Sequence, residues 1–385
     1  MHKPDYAGQG IVNLMASLQL GLGNERPVHC AATLLEESEV RDARNVVLVV
    51  IDGLGYEYLC AHPQASALNG ALRGKLTSVF PSTTASAITT YLTGDAPQQH
   101  AITGWHMYMR EMGAIMTMLP GFARFGGESL VRQGIDLPKL LGNRSFNERI
   151  TADSHMVLPM MIADSAYTLA HRGPGQVSAY ETLNQMFDEA RSIVTSQDGQ
   201  YVHAYWPNLD ATGHRFGMAS PRALEVLMEL DRSFARFVED VKGTGTLVVL
   251  CADHGQVDTK AQDWVSLDAD TAAGRHLSVP LCGEPRAAYC YVNARNTQSF
   301  GDAIAAEFGS ADVLHESDQW LRDGWYGLGE PHPELLSRTG DFVLMPGAHQ
   351  AAKDWLPLER RYQVVGVHGG ATASEMFVPL IVVST

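Results

Sequence analysis

The stretch VVLVVIDGLGYEYL, Val46–Leu59, decides the reading of the fold. Val46 to Ile51 are apolar and mostly β-branched, and an acid, Asp52, follows at once in a Gly-Leu-Gly turn. An apolar run without polar alternation marks a strand covered on both faces, the habit of parallel sheets in α/β proteins. Ligands of open α/β sheets sit beyond the carboxyl ends of the strands. Asp52 therefore stands where function resides, although an Asx-turn or a helix N-cap accounts for it equally well from this stretch alone.

Four further segments repeat the pattern. Residues 75–94, KLTSVFPSTTASAITTYLTG, give a short strand, a Ser/Thr cluster and a helix ending near Gly94. Residues 200–217 give a strand followed by Asp210 and His214. Residues 245–256 give a buried strand ending in Asp253-His254-Gly255, and residues 362–383 place His368 in a Gly-rich turn before a terminal strand. Helices fit between them, at 181–194 and at 221–241 with Pro221 in the first turn. Alternation of this kind predicts a mostly parallel sheet with helices on both faces. Residues 105–125 read as a β-hairpin turning near Met112-Gly113. Residues 257–361 are richer in Gly, Pro, Trp and charge, with an isolated strand at 287–292. The expected division is a catalytic core over 1–256, an insertion or cap over 257–361 and a return to the core over 362–385.

The bulk numbers agree with a globular enzyme. The 385 residues are 45% hydrophobic and 18% charged, with a formal net charge of −15. That charge, with no Lys/Arg run, argues against a nucleic-acid polymer as partner. The five cysteines, Cys30, Cys60, Cys251, Cys282 and Cys290, have no framework spacing and read as reduced thiols of a cytoplasmic protein. No run of about 18 apolar residues suggests a membrane span. The N-terminus reads as an amphipathic lead-in rather than a signal peptide. Oligomeric state is not legible.

Asp52, Asp210, His214, Asp253, His254 and His368 all fall just past strands or in the turns beyond them. Singly, each has a bland explanation: a helix-spaced ion pair, a loop histidine, a cap. Together they place six metal-capable side chains at one end of one sheet. Mixed His/Asp ligation suits zinc or another first-row divalent ion, and six ligands divide into two three-ligand sites with open positions. In FPSTTAS, Pro81 and Ser82 are expected to open a helix, with Thr84 in its first turn. Free N–H groups and the helix dipole favour an anion there. A hydroxyl in that turn is a nucleophile if activated, or simply a cap.

The ordered set Asp52-Gly53, Pro81-Ser82-Thr83-Thr84, Thr93-Gly94, Asp210-x-x-x-His214, Asp253-His254-Gly255 and His368-Gly369 resembles the type I phosphodiesterase/nucleotide pyrophosphatase branch of the alkaline phosphatase superfamily. The resemblance spans Val46 to the C-terminus. It implies a three-layer α/β/α sandwich of alkaline phosphatase type with an inserted cap. It implies two divalent metal ions, Zn²⁺ foremost and Mn²⁺ as a substitute, one on Asp210, His214 and His368, the other on Asp52, Asp253 and His254. The family nucleophile lies nine residues before the Thr of the Thr-Gly pair, which selects Thr84 over Thr83. The implied activity is hydrolysis of phosphodiester or pyrophosphate bonds in a small phosphorylated substrate through a phosphothreonine.

One position departs from the family. Where its pyrophosphatases carry an Asn that binds a phosphoryl oxygen, ungapped counting lands on Trp105. That leaves a phosphomonoesterase or a phosphonate hydrolase of the phosphonoacetate type as the alternative. His106 and Tyr108 are candidate donors in its stead, and Trp105, Tyr108 and Tyr205 are candidates to line the substrate, with Trp206 more suited to core packing. Ser165, in a segment resembling the nucleophile region of true alkaline phosphatases, lacks the right place relative to Asp52. No sulfatase-type Cys/Ser-x-Pro-x-Arg motif follows Asp52.

Overall fold

A computed structural model describes residues 1–23 and 26–385. Three strands, Asn45–Ile51, Thr246–Ala252 and Gln200–Trp206, have all seven residues buried. Successive side chains of a strand point to opposite faces, so complete burial means that both faces are covered. These strands are the centre of a seven-stranded sheet in the order Leu72–Thr77, Phe377–Ser384, Thr246–Ala252, Asn45–Ile51, Gln200–Trp206, Asp153–Pro159, Gln176–Tyr180. Neighbouring strands of this sheet pair in parallel except at the terminal strand Phe377–Ser384, which runs antiparallel to both its neighbours. The chain thus has the mostly parallel α/β architecture that its sequence predicts. The strands at 153–159 and 176–180 escape the sequence reading, although DSHMVLP is itself a bounded apolar run.

Register is what turns this sheet into a site. Ile51 is level with Ala252 on one side and with Trp206 on the other. Asp52 and Asp253 therefore leave the sheet side by side, and Asp210 enters from the neighbouring strand by way of the helix Asn208–Phe216. The Asp52 N–H donates to the Trp206 carbonyl at 2.9 Å, and the Asp210 N–H to the Asp52 carbonyl at 3.2 Å. Gly53 has φ +77°, and a Cβ there would stand 2.9 Å from the Asp210 Cα, so the close approach of the two turns requires glycine.

The helices at 183–196 and 221–240 form close to expectation and pack on each other, with Phe187 and Phe237 5.0 Å apart. The N-terminal helix Ile11–Leu22 corrects the sequence reading. It is buried from Ile11 to Gln19 and packs on the helix Thr84–Thr93, so it is a core element rather than an amphipathic lead-in. Among the described residues no helix is long and apolar enough to cross a membrane.

A second seven-stranded sheet runs Leu314–Glu316, Phe342–Leu344, Ala287–Val292, Leu277–Glu284, His106–Met109, Ala114–Thr117, Phe122–Ala123, antiparallel throughout. The hairpin is present, turning through Gly113 at φ +63°. It extends the sheet of the 257–361 region through the pair Gly283 and His106. A Cβ on Gly104 would meet the Gly283 Cα at 2.7 Å, so the two segments touch backbone to backbone. This contact carries Glu284, at the end of its strand, to the edge of the first sheet's carboxyl-terminal face.

Candidate metal centre

The six acids and imidazoles named from the sequence converge. His254 Nε2 lies 3.4 Å from Asp52 Oδ1 and 3.4 Å from Asp253 Oδ2. His214 Nε2 lies 3.2 Å from Asp210 Oδ2, and His368 Nε2 lies 3.8 Å from Asp210 Oδ1. The spacing of four residues on one helix brings Asp210 and His214 to the same face. The His254 and His368 rings stack with centroids 3.8 Å apart, and those of His214 and His368 stand 5.1 Å apart. Two trios have donor atoms within 4.8 Å of one another, Asp52–Asp253–His254 and Asp210–His254–His368. The first is the set expected from sequence. In the second His254 occupies the place expected of His214, because its stacking on His368 sets its Nε2 between the two groups of acids.

The local structure prepares these groups for cations. His214 Nδ1 faces the Gly366 carbonyl at 2.8 Å and His254 Nδ1 the Gly255 carbonyl at 3.1 Å. An Nδ1–H donated outward leaves the Nε2 lone pair facing inward. Asp253 Oδ1 accepts from the Gly53 N–H at 3.1 Å, and the Gln256 amide donates to Asp210 Oδ1. The opposite atoms are orphaned: among the described residues, Asp52 Oδ1, Asp253 Oδ2 and His368 Nδ1 are buried without a hydrogen-bond partner. Burial, then Asp253 and Asp210, pushes the Asp52 carboxyl well above the ordinary range, and burial raises Asp253 as well. Burial, then His254, holds His368 well below a normal imidazole. Asp210 stays low because His214 and the other histidines outweigh the cost of its burial, and Asp210 in turn outweighs burial at His214, raised to about 9. Asp52, Asp253 and His368, which resist ionisation, beside the ion-paired Asp210 and His214, are a donor set that divalent cations fit.

The Ser/Thr cluster approaches from the edge strand Leu72–Thr77. The helix begins at Thr84, with Thr83 extended as its N-cap residue, rather than at Pro81. Ser82 is held back by a backbone bridge to Gly369 and by its own hydroxyl, which donates to the Gly370 carbonyl at 2.7 Å. Phe80 is clamped edge-on by Trp320, Trp325 and Tyr326. The three hydroxyls then diverge. Thr84 Oγ1 comes to 3.1 Å from His254 Nε2. Thr83 Oγ1 turns the other way and donates to Glu284 Oε1 at 2.6 Å. Thr83 makes no capping bond, so the simple capping reading of the cluster does not hold.

Of the expected substrate-facing residues, Trp105 and His106 line a small pocket of about 50 Å³ with Glu284, Lys353 and Tyr362. The Trp105 N–H donates to Glu284 Oε1 at 2.7 Å. His106 Nδ1 pairs with the Thr117 hydroxyl at 3.2 Å. Tyr108 packs edge-on against Tyr291, 5.4 Å between centroids, in the apolar cluster of the second sheet. Tyr205 is a correction. It is buried and its phenol donates to Asp52 Oδ2, so it positions a carboxylate rather than facing a substrate. Trp206 is core. Sequence reasoning missed Gln256 and Glu284. The first lies two residues after His254, a usable signal, whereas nothing near Glu284 in the sequence points to the site.

Comparison with known proteins follows the same lines. The sequence model of the type I phosphodiesterase/nucleotide pyrophosphatase family matches residues 46–371. The chain belongs to this family. As a member it is a phosphoric ester hydrolase of a metal-dependent group, and the clusters just described are candidate metal-binding groups. A sequence search among curated proteins finds no match. Among solved structures, murine ectonucleotide pyrophosphatase/phosphodiesterase 5, in an inactive form in complex with AMP, is 17% identical with a TM-score of 0.63, covering 87% of each chain. The human protein is 16% identical with a TM-score of 0.64, covering 88% of this chain and 87% of its own. Phosphonoacetate hydrolase from Sinorhizobium meliloti 1021, in complex with phosphonoacetate, is 18% identical with a TM-score of 0.63, covering 89% of this chain and 90% of its own. At these identities the likeness is one of fold.

Proposed function

We propose that this chain hydrolyses phosphodiester or pyrophosphate bonds of small phosphorylated substrates through a phosphothreonine on Thr84, with two divalent ions. The observation that carries the reading is the Thr84 hydroxyl 3.1 Å from the imidazole nitrogen on which Asp52 and Asp253 converge at 3.4 Å each. Zinc suits the mixed His/Asp donors, with manganese as a substitute. Asp52, Asp253 and His254 would hold one ion beside Thr84, and Asp210, His214 and His368 the other. When bound, the ions supply Lewis-acid charge to the oxygens of the transferred phosphoryl group.

The chain's own groups do the rest. The Thr84 oxygen forms a bond to phosphorus as the bond to the leaving oxygen breaks; the hydroxyl gives up its proton and the leaving group takes one. Water then attacks the phosphothreonine, releases the phosphoryl product and restores the hydroxyl. The first-turn N–H groups of the helix Thr84–Thr93 lack helical acceptors and sit at the positive end of its dipole, which favours the anionic phosphoryl oxygens. Positioning and charge stabilisation are most of what phosphoryl transfer requires of a protein.

A second reading, a phosphonate or phosphomonoester hydrolase, is favoured by Trp105 at the place of the family Asn and by the fold shared with phosphonoacetate hydrolase. Rates on bis-p-nitrophenyl phosphate, p-nitrophenyl phosphate and phosphonoacetate separate the two; faster turnover of the monoester or the phosphonate favours the second. Acid-quenched single turnovers with labelled diester, followed by peptide mapping, test the nucleophile. Label on Thr83 or Ser82 would overturn the assignment. We further propose a cytoplasmic location, which the five unpaired cysteines support.

A further inference from the structure

The pocket beside the metal centre contains an ammonium group that, among the described residues, forms no direct ion pair. Lys353 ends the short strand Ala351–Lys353 and is 8% exposed, yet among the described residues no carboxylate lies within 4 Å of its Nζ. Its nearest neighbours of note are ring faces, Trp355 at 5.4 Å and Tyr362 at 6.0 Å, at the outer edge of cation–π reach. The other charges around it are engaged. Arg124 pairs with Asp354 at 2.8 Å and with Glu359 at 2.9 Å. Asp354 also accepts from the Leu281 N–H at 2.8 Å, and Glu284 accepts from Thr83 and Trp105. Burial, then Arg124, pulls the Lys353 pKa below that of an ordinary lysine, against the opposing pull of Glu359, Asp354 and Glu284, none of which reaches its Nζ directly.

A lysine this enclosed, with its ammonium turned to a small pocket instead of bulk water, gains from a direct anionic partner. The pocket adjoins the reaction centre across Glu284, whose carboxylate lines it and binds the residue next to Thr84. We propose that Lys353 receives a second anionic group of the substrate, a carboxylate or a further phosphate, attached next to the phosphoryl group that Thr84 attacks. The inference rests on the reading of Thr84 as phosphoryl acceptor and adds the substrate class to it. Three N–H donors on a point charge match an oxyanion, and a pairing shielded from water is stronger than one at the surface. A simple diester leaves Lys353 unpaired.

The test compares three substrates of the metal-loaded enzyme. Bis-p-nitrophenyl phosphate has no second anion, a dinucleoside diphosphate carries a phosphate on its leaving group, and phosphonoacetate carries a carboxylate. In Lys353→Met, kcat/KM for at least one anion-bearing substrate should fall by about 10- to 100-fold relative to bis-p-nitrophenyl phosphate, mainly through KM. Which one falls identifies the source of the anion. Lys353→Arg should restore most of the ratio, and Lys353→Gln gives the same answer if the methionine variant folds poorly. Binding without turnover is read in the Thr84→Ala background, by quenching of tryptophan fluorescence with pyrophosphate and with phosphonoacetate; adding Lys353→Met should weaken one of them by a similar factor. Equal losses on all three substrates, or ratios unchanged, would mean a structural lysine and overturn the proposal. If Thr84→Ala abolishes turnover while the Lys353 ratios stay flat, only the anion subsite fails. If Thr84→Ala keeps full turnover, the reading of the nucleophile fails and the subsite built on it fails too.

Discussion

Tyr205→Phe removes one oxygen and isolates one hydrogen bond at the metal centre. The phenol is buried and donates to Asp52 Oδ2, the oxygen opposite the orphaned Oδ1. A bond to a charged acceptor contributes about 1.5–3 kcal/mol, and each 1.4 kcal/mol is about tenfold in an equilibrium constant. With metal bound, Asp52 is a carboxylate, so the loss should weaken that ion by about 10- to 150-fold, in line with other groups that orient metal ligands. Without metal, burial and then Asp253 and Asp210 push the Asp52 carboxyl well up and disfavour its charge, so the lost bond should contribute less, toward the value of a neutral bond, about 0.5–1.5 kcal/mol. The substitution should therefore lower the melting temperature of the metal-loaded protein much more than that of the stripped protein. Competition with a chromophoric chelator gives the affinity and paired thermal melts give the difference. An unchanged metal affinity with equal melting shifts in both forms would show that Tyr205 only packs, and would refute the reasoning.

Thr84→Ala should lower kcat by several orders of magnitude with metal content intact, whereas Thr83→Ala should keep most turnover and cost about 1–3 kcal/mol by leaving Glu284 one donor short; steady-state kinetics and denaturant melts check both. Elemental analysis should find close to two transition-metal ions per chain, and chelation should abolish activity and lower the melting temperature. Asp52→Ala and Asp253→Ala should be far from additive in rate, because both acids converge on His254. In the metal-free protein Asp210 overcomes burial and raises His214 to about 9, against about 6.5 unfolded. A raised histidine stabilises fully below its unfolded pKa and loses that contribution as pH climbs through the folded value. The stripped protein should thus melt lower between about pH 6.5 and pH 9, and His214→Gln should flatten that slope.

The local chain carries its own instructions where the message is short-range. Val46–Ile51, Tyr201–Trp206 and Leu247–Ala252 are apolar through both faces, so each specifies a buried strand by itself. Five of the six expected ligands follow those strands within one to eight residues, and His368 stands in a Gly-rich turn before the terminal strand, so their number and chemistry are legible in the chain alone. The choice of Thr84 rests on the family resemblance, applied as a count of nine residues back from Thr93-Gly94.

What the sequence could not express is pairing across long separations. The His106–Met109 strand offers the same backbone donors and acceptors to any partner. Only the folded chain selects Leu277–Glu284, where two glycines allow the backbones to touch. Glu284 reaches Thr83 and Trp105 through that choice, 201 and 179 residues away. Tyr205 looked like a stacking residue because composition does not say which face of a strand a phenol takes; the register with Asn45–Ile51 does, and it delivers the hydroxyl to Asp52. Lys353 is an ordinary lysine in AAKDW and becomes distinctive once Arg124, from the hairpin, binds Asp354 and Glu359 and leaves the ammonium without a direct ion pair in the pocket. Ligand identity is local chemistry, whereas shape, pairing and isolation of charge depend on which distant surfaces meet, and that is settled by packing.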